Sequence, residues 1–218
     1  MASRVKRVAM FGGTFNPVHV GHLRAAIELH EQLGLDQVHM VVNREPPHRQ
    51  VPGVSGRDRF AMLSAAVAPL DGVVADAREL SREGPSYSVN TLRSFRDEYG
   101  QDARLMMVVG VDAFLGLPGW RSPEEIFALA HIVVIQRPGA ELVLESEMEA
   151  LVAGRRADNI AMMMAAPAGR YLPLRLPTPI ELSATAIRAR LAAGQSTRYL
   201  LAPEVNQVIA ERTLYRQP

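Results

Sequence analysis

The sequence contains no cysteine. Disulfides, thiol nucleophiles and cysteine-ligated metals are thereby excluded, and the absence fits a reducing compartment. It holds a single tryptophan and 6% aromatic residues, so the one large indole stands out. Neither sign of charge dominates: 24 Lys and Arg against 23 Asp and Glu leave a formal net charge of +1. A general nucleic-acid binder needs a basic face, and nucleic acid is not an expected partner. No run approaches the roughly 18 apolar residues of a membrane span. The apolar run that follows Arg4, Lys6 and Arg7 is cut by Gly12-Gly13, too short for a signal-peptide core. A cytoplasmic protein with no membrane partner is the expectation. At 218 residues and 48% apolar content, the chain suits one domain over 1–218 with a buried core.

What is present is alternation. Strand-like runs, several rich in Val and Ile, fall at 5–11, 37–42, 73–77, 104–109, 131–135 and 171–176; helical patterns fall at 21–33, 57–68, 88–99, 123–130, 184–193 and 203–212. Such alternation predicts an α/β fold, a Rossmann-like doubly wound parallel sheet with helices on both faces, and a small C-terminal helical portion over 183–218. Ser122 and Pro123 look like a helix start with a capping side chain, and Gly194 like a helix end. Between 139 and 170 the pattern loosens, which predicts a peripheral excursion. The triplet Met162-Met163-Met164 is read there as packing.

The segment from Gly12 to His22 carries the chemistry. A buried strand ends in paired glycines and delivers His19 and His22, three apart, to the start of a helix. By themselves the histidines read equally as exposed or core imidazoles, and a metal site lacks an evident third ligand. Joined to the glycine loop, they read as a phosphate site on unpaired helix N–H groups, where Gly21 lets an anion approach. In the run Ser183-Ala184-Thr185-Ala186-Ile187-Arg188, a capping serine, a first-turn threonine and an arginine converge on a helix start. That is a phosphate grip or simply a capped helix. Asp112 follows a strand and Gly110, where a carboxylate accepts from ribose hydroxyls or caps a helix. His48-Arg49 after Pro46-Pro47 reads as a basic loop, and Trp120 as core packing or a stacking surface.

Together these segments resemble the nucleotidyltransferase superfamily, with its (T/H)-x-G-H motif after the first strand, and within it the bacterial nicotinate-nucleotide adenylyltransferases. The match runs from Val8 to Tyr215 through Pro46-Pro47-His48-Arg49, Pro85-Ser86-Tyr87-Ser88, Gly110-Val111-Asp112, Trp120 and Leu182 to Arg188. The resemblance implies transfer of the adenylyl group of ATP to nicotinate mononucleotide, with Mg²⁺ accompanying ATP and no dedicated protein metal site. It implies catalytic roles for His19, His22 and Arg188. ATP would meet Gly12, Gly13, Thr14, Phe15, Gly21, Gly110, Asp112, Ser183, Thr185 and Ile187. The mononucleotide would meet Asn43, His48, Arg49, Tyr87, Ser88, Trp120 and Arg121, the last through its main chain. A homo-oligomer is compatible with it. The chain departs from the pattern in two places: Asn16 stands where Asp is common, losing a charge, and Ser88 stands where Thr is frequent. A nucleotide-binding sensor without turnover, and transfer to another phosphorylated acceptor, are the rival readings.

Overall fold

Strand residues alternate between two apolar faces. In β1 (Arg7–Gly13), Val8 and Met10 are buried toward one side and Ala9 toward the other. In β4 (Arg104–Gly110), Leu105, Met107 and Val109 oppose Met106 and Val108 in the same way. Strands apolar on both faces must be covered on both. The computed structural model, which describes residues 4–44, 53–136 and 142–215, meets that need. It adds β2 (Gln37–Val42), β3 (Val73–Asp76), β5 (His131–Gln136) and β6 (Tyr171–Arg175), all pairing in parallel in the order β3-β2-β1-β4-β5-β6.

One face is covered by α1 (Val20–Leu33), α2 (Gly56–Val67), α7 (Ile160–Met164), α8 (Ala184–Ala192) and α9 (Pro203–Glu211). The other is covered by α3 (Ser88–Tyr99), α4 (Val111–Leu115), α5 (Pro123–Leu129) and α6 (Ser146–Val152). The sheet is thus doubly wound. From β1 the chain steps outward to β2 and β3, then returns to lay β4 on the opposite side of β1. The carboxyl ends of β1 and β4 therefore open onto the crevice where open α/β sheets take ligands.

One expectation is refined and another corrected. Over its described part, the stretch 139–170 holds two short helices whose apolar side chains reach the core, while most of its other residues stay exposed or half-buried. Met148, Leu151 and Val152, at spacings of three and four on α6, are buried on one face, and Met163 of α7 is fully buried on the other. Helices of seven and five residues are too short to impose a periodicity that outweighs the acidic residues around them. Ser122 precedes α5 but makes no capping bond through its side chain, because its backbone is left-handed (φ 55°). Gly194 does sit in the left-handed conformation just past α8 (φ 66°), the usual terminator.

Candidate active site

The loop after β1 is built on close approaches that only small residues permit. A Cβ on Gly13 would lie 2.8 Å from the ring of Phe15, and one on Gly21 would lie 3.1 Å from His19 Nδ1. Freed of those clashes, Phe15 folds beneath the loop, 3% exposed, with its ring edge-on to Phe11 (6.1 Å) and to His22 (5.1 Å). Phe15, expected among the ATP contacts, has a buried ring that supports His22, so that only its main chain is left to meet a ligand. The burial has a simple cause: a phenylalanine next to a glycine-rich loop finds more apolar surface below the loop than above it.

His19 is the N-cap of α1, and its N–H donates to Nδ1 of His22 at 3.3 Å. The two imidazoles stack with centroids 3.6 Å apart. Because Nδ1 of His22 accepts, its neutral ring carries the proton on Nε2. Burial pushes His19 down to about 4. Burial, reinforced by the neighbouring His19 charge, pushes His22 down to about 3. Both rings are neutral at pH 7 and serve as hydrogen-bonding groups, not cations. Nδ1 of His19 is buried without a hydrogen-bond partner among the described residues. Orphaned buried polar atoms are rare, and a binding site is one place where they are tolerated.

The start of α8 is brought to this loop. Ser183 caps the helix, its hydroxyl accepting from Ala186 N–H at 3.2 Å. Arg188 donates through Nη1 to the Asn16 carbonyl at 2.9 Å and through Nη2 to Thr185 Oγ1 at 3.2 Å. Ile187, expected among the ATP contacts, is fully buried in the core, and its N–H is taken by the Ser183 carbonyl at 3.1 Å. Its side chain anchors α8, and its N–H is already engaged.

A cavity of about 790 Å³ opens at the carboxyl ends of β1, β2 and β4. Gly12, Gly13, Thr14, Gly110 and Asp112 line it, together with Asn43, Tyr87, Ser88, Trp120 and Arg121. Residues expected to serve two different substrates therefore share one space. Asn43 is fixed by its N–H to the Gly13 carbonyl at 3.0 Å. Trp120 is half-buried, its body packed on the core around α3 and α5 and its remaining surface facing the cavity. Tyr87 is the N-cap residue of α3; its carbonyl takes the Asn90 N–H at 3.1 Å, which leaves the N–H groups of Ser88 and Val89 without intrahelical partners. The Arg121 guanidinium stands 4.9 Å from the centre of the Tyr87 ring. An anion among Ser88, these N–H groups and Arg121 would meet positive potential from two sides. His48 and Arg49 lie outside the described residues.

Three contributors were not among the expected site residues. Ser86 also lines the cavity, and its Oγ accepts from Arg44 N–H at 3.0 Å, tying the loops after β2 and β3 together. Arg59 is 1% exposed and donates to the carbonyls of Thr14 (2.7 Å) and Arg44 (3.3 Å). A signal for it existed: it falls in register with the buried Met62, Leu63 and Ala66 of α2, a charge on an apolar stripe. Tyr215 donates its hydroxyl to Asn16 Oδ1 at 2.6 Å.

Comparison with known proteins agrees with this geometry. The sequence model of the family described as cytidylyltransferase-like matches residues 10–190. A protein of Chromohalobacter salexigens named "Probable nicotinate-nucleotide adenylyltransferase" is 51% identical over 213 residues, which is 98% of this chain and 97% of that one. One of the same name from Pseudomonas putida is 44% identical over 217 residues, covering 100% and 98%. Among solved structures, the Plasmodium falciparum nicotinic acid mononucleotide adenylyltransferase complexed with NaAD superposes with a TM-score of 0.70 at 12% identity, over 96% of this chain and 97% of that one. At that identity the likeness speaks for the fold alone. With full-length relatives at 44–51% identity and a glycine-histidine loop facing α8 across Asn16, the chain belongs to the cytidylyltransferase-like family and, within it, to the nicotinate-nucleotide adenylyltransferases.

Proposed function

We propose that the chain transfers the adenylyl group of ATP to nicotinate mononucleotide, forming nicotinate adenine dinucleotide and pyrophosphate in the cytoplasm. The observation that carries this reading is the joining of two half-sites by one loop. Residues 12–14 line the cavity that holds Trp120 and Ser88, and Asn16, two residues on, holds Arg188 at the start of α8. The full-length relatives bear the corresponding name. In the proposed complex the pyridine ring stacks on Trp120, with its carboxylate against Ser88, the first turn of α3 and the main chain of Arg121. Asn43 lies beside it, and Asp112 faces the sugar hydroxyls. ATP lays its phosphates along the loop toward His19, His22, Thr185 and Arg188.

A phosphate oxygen of the mononucleotide then attacks the α-phosphorus of ATP in line. One P–O bond forms as the bond to the β-phosphate breaks, and pyrophosphate carries away the electron pair. The nucleophile is already an anion, so neither a general base nor a covalent intermediate is needed. The protein supplies position and charge compensation. Nε2–H of His22 donates to the transferring group, and Arg188 with the helix end holds the leaving pyrophosphate. Among the described residues no group of three His, Asp or Glu is placed to hold a metal, and Asn16 offers an amide in place of a carboxylate. We place Mg²⁺ on the phosphates of ATP, where it would keep much of its water and neutralise phosphate charge.

The test is a panel of acceptors with ATP and Mg²⁺, read by pyrophosphate release. Nicotinate mononucleotide is expected to be preferred over its amide and over phosphopantetheine. Preference for the amide would remove the substrate assignment and leave adenylyl transfer standing. Binding without pyrophosphate release from any acceptor would favour a sensor.

A further inference from the structure

The segment after α9 returns to the phosphate loop from behind. Arg212 Nη1 pairs with Asp58 Oδ1 of α2 at 2.6 Å, and Leu214 N–H donates to the Ile209 carbonyl at 3.0 Å. Thr213 and Tyr215 take left-handed backbone (φ 53° and 61°), a conformation that non-glycine residues hold only when their surroundings compensate. These constraints deliver the Tyr215 hydroxyl to Asn16 Oδ1 at 2.6 Å, a bond across 199 residues of sequence. Burial raises the pKa of that hydroxyl, so it remains a donor. Nearby, Arg59 holds the Thr14 carbonyl and Arg188 holds that of Asn16. The loop is thus gripped by α2, by α8 and by the segment after α9.

We propose that Tyr215 is a positioning residue for adenylyl transfer: by fixing the side chain of Asn16 it fixes the Asn16 carbonyl that orients Arg188. The proposal rests on the adenylyl-transfer reading above. Without the hydroxyl, Asn16 Oδ1 loses its donor and the residue is free to turn. Arg188 then loses a fixed acceptor on one side of its guanidinium while keeping Thr185 on the other. The neutral amide suits this arrangement. Oδ1 satisfies the tyrosine, and among the described residues no carboxylate pairs with Arg59 or Arg188, which donate to carbonyls and a hydroxyl. The charge of Arg188 is left for phosphate, while Arg59, 1% exposed, braces the loop from below.

The experiment uses the full chain, with initial rates measured while ATP and nicotinate mononucleotide are varied in turn and a melting curve recorded for each variant. Tyr215→Phe deletes the hydroxyl and keeps the ring. Its kcat/KM for ATP is expected to fall roughly tenfold, within the range a small misplacement of a catalytic group costs. The KM for the mononucleotide and the melting midpoint should stay at wild-type values. In an Asn16→Ala background the same substitution should add no further loss, because the hydroxyl acts through Asn16. Unchanged rates in Tyr215→Phe, a KM for the mononucleotide that rises as much as the KM for ATP, or additive losses in the double variant would each overturn the proposal. If the wild-type chain released no pyrophosphate, the adenylyl reading would fail separately, and the Asn16–Tyr215 coupling would then be read as ATP affinity by calorimetry.

Discussion

At the scale of single residues, the site depends on imidazoles that cannot easily become cations. His22 gives up Nδ1 to its own N-cap and is stacked on His19, which leaves one N–H, on Nε2, for a phosphate oxygen. Deleting one donor aimed at developing charge typically costs about a hundred- to a thousandfold in turnover. His22→Ala is expected to lose kcat on that scale while still folding; near-normal turnover in the folded variant would remove the assigned role. The pH dependence follows from the same geometry. Free-enzyme pKa values govern kcat/KM, and the two rings titrate near 4 and 3. Their contribution to kcat/KM for ATP should therefore be flat from pH 6 to 8, where an ordinary histidine would switch. Nitrogen-15 spectra should show the Nε2–H form of His22 throughout that interval.

At the scale of elements, what was legible depended on length and repetition. The strands were readable because residues such as Val133 and Val134 of β5, or Met106 and Met107 of β4, are buried on opposite faces, giving continuous apolar runs. Short α4, α6 and α7 lack that redundancy. The phosphate loop was readable because its glycines and histidines lie within eleven consecutive residues, 12–22. Arg59 and Tyr215 were not, since they reach Thr14 and Asn16 across 45 and 199 residues, and no local pattern encodes a partner so distant. Helix α8 shows how an element can be fixed by very little: Ile187 is its one buried residue. Truncating a fully buried isoleucine costs about 2–5 kcal/mol, and here the loss should concentrate in the element that carries Ser183, Thr185 and Arg188. For Ile187→Ala we expect faster amide exchange across Ala184–Ala192, with β1 and β4 still protected. The KM for ATP should rise, with little change for the mononucleotide. Uniform acceleration over the whole sheet would show that α8 is not a separately anchored unit.

At the scale of the whole molecule, buried neutral histidines couple folding to pH. His131, fully buried, accepts from Arg170 N–H at Nδ1 (3.1 Å) and faces the Ala166 carbonyl through Nε2 at 2.9 Å. Burial pushes it down to about 4, alongside His19 and His22. In the unfolded chain each would titrate near 6.5. Between about pH 6.5 and 4 the unfolded state thus binds protons that the native state does not, so stability rises with pH there and drains away as pH falls. Each such proton contributes a slope of about 1.4 kcal/mol per pH unit. Carboxylates act in a lower window. Burial alone would raise the Asp76 carboxyl, but hydrogen bonds from His39 and Arg78 hold it well below the usual range. Its contribution is present above roughly pH 4 and is lost only as pH falls further. The two windows separate the causes. Urea midpoints should decline steadily from pH 7 to 4.5, before the carboxylates take part, and His131→Gln should flatten that decline relative to wild type. A wild-type midpoint constant across the interval would mean that the imidazoles titrate in the folded state as they do in the unfolded one, and the pH-independent neutral-donor role of His22 would be lost with it.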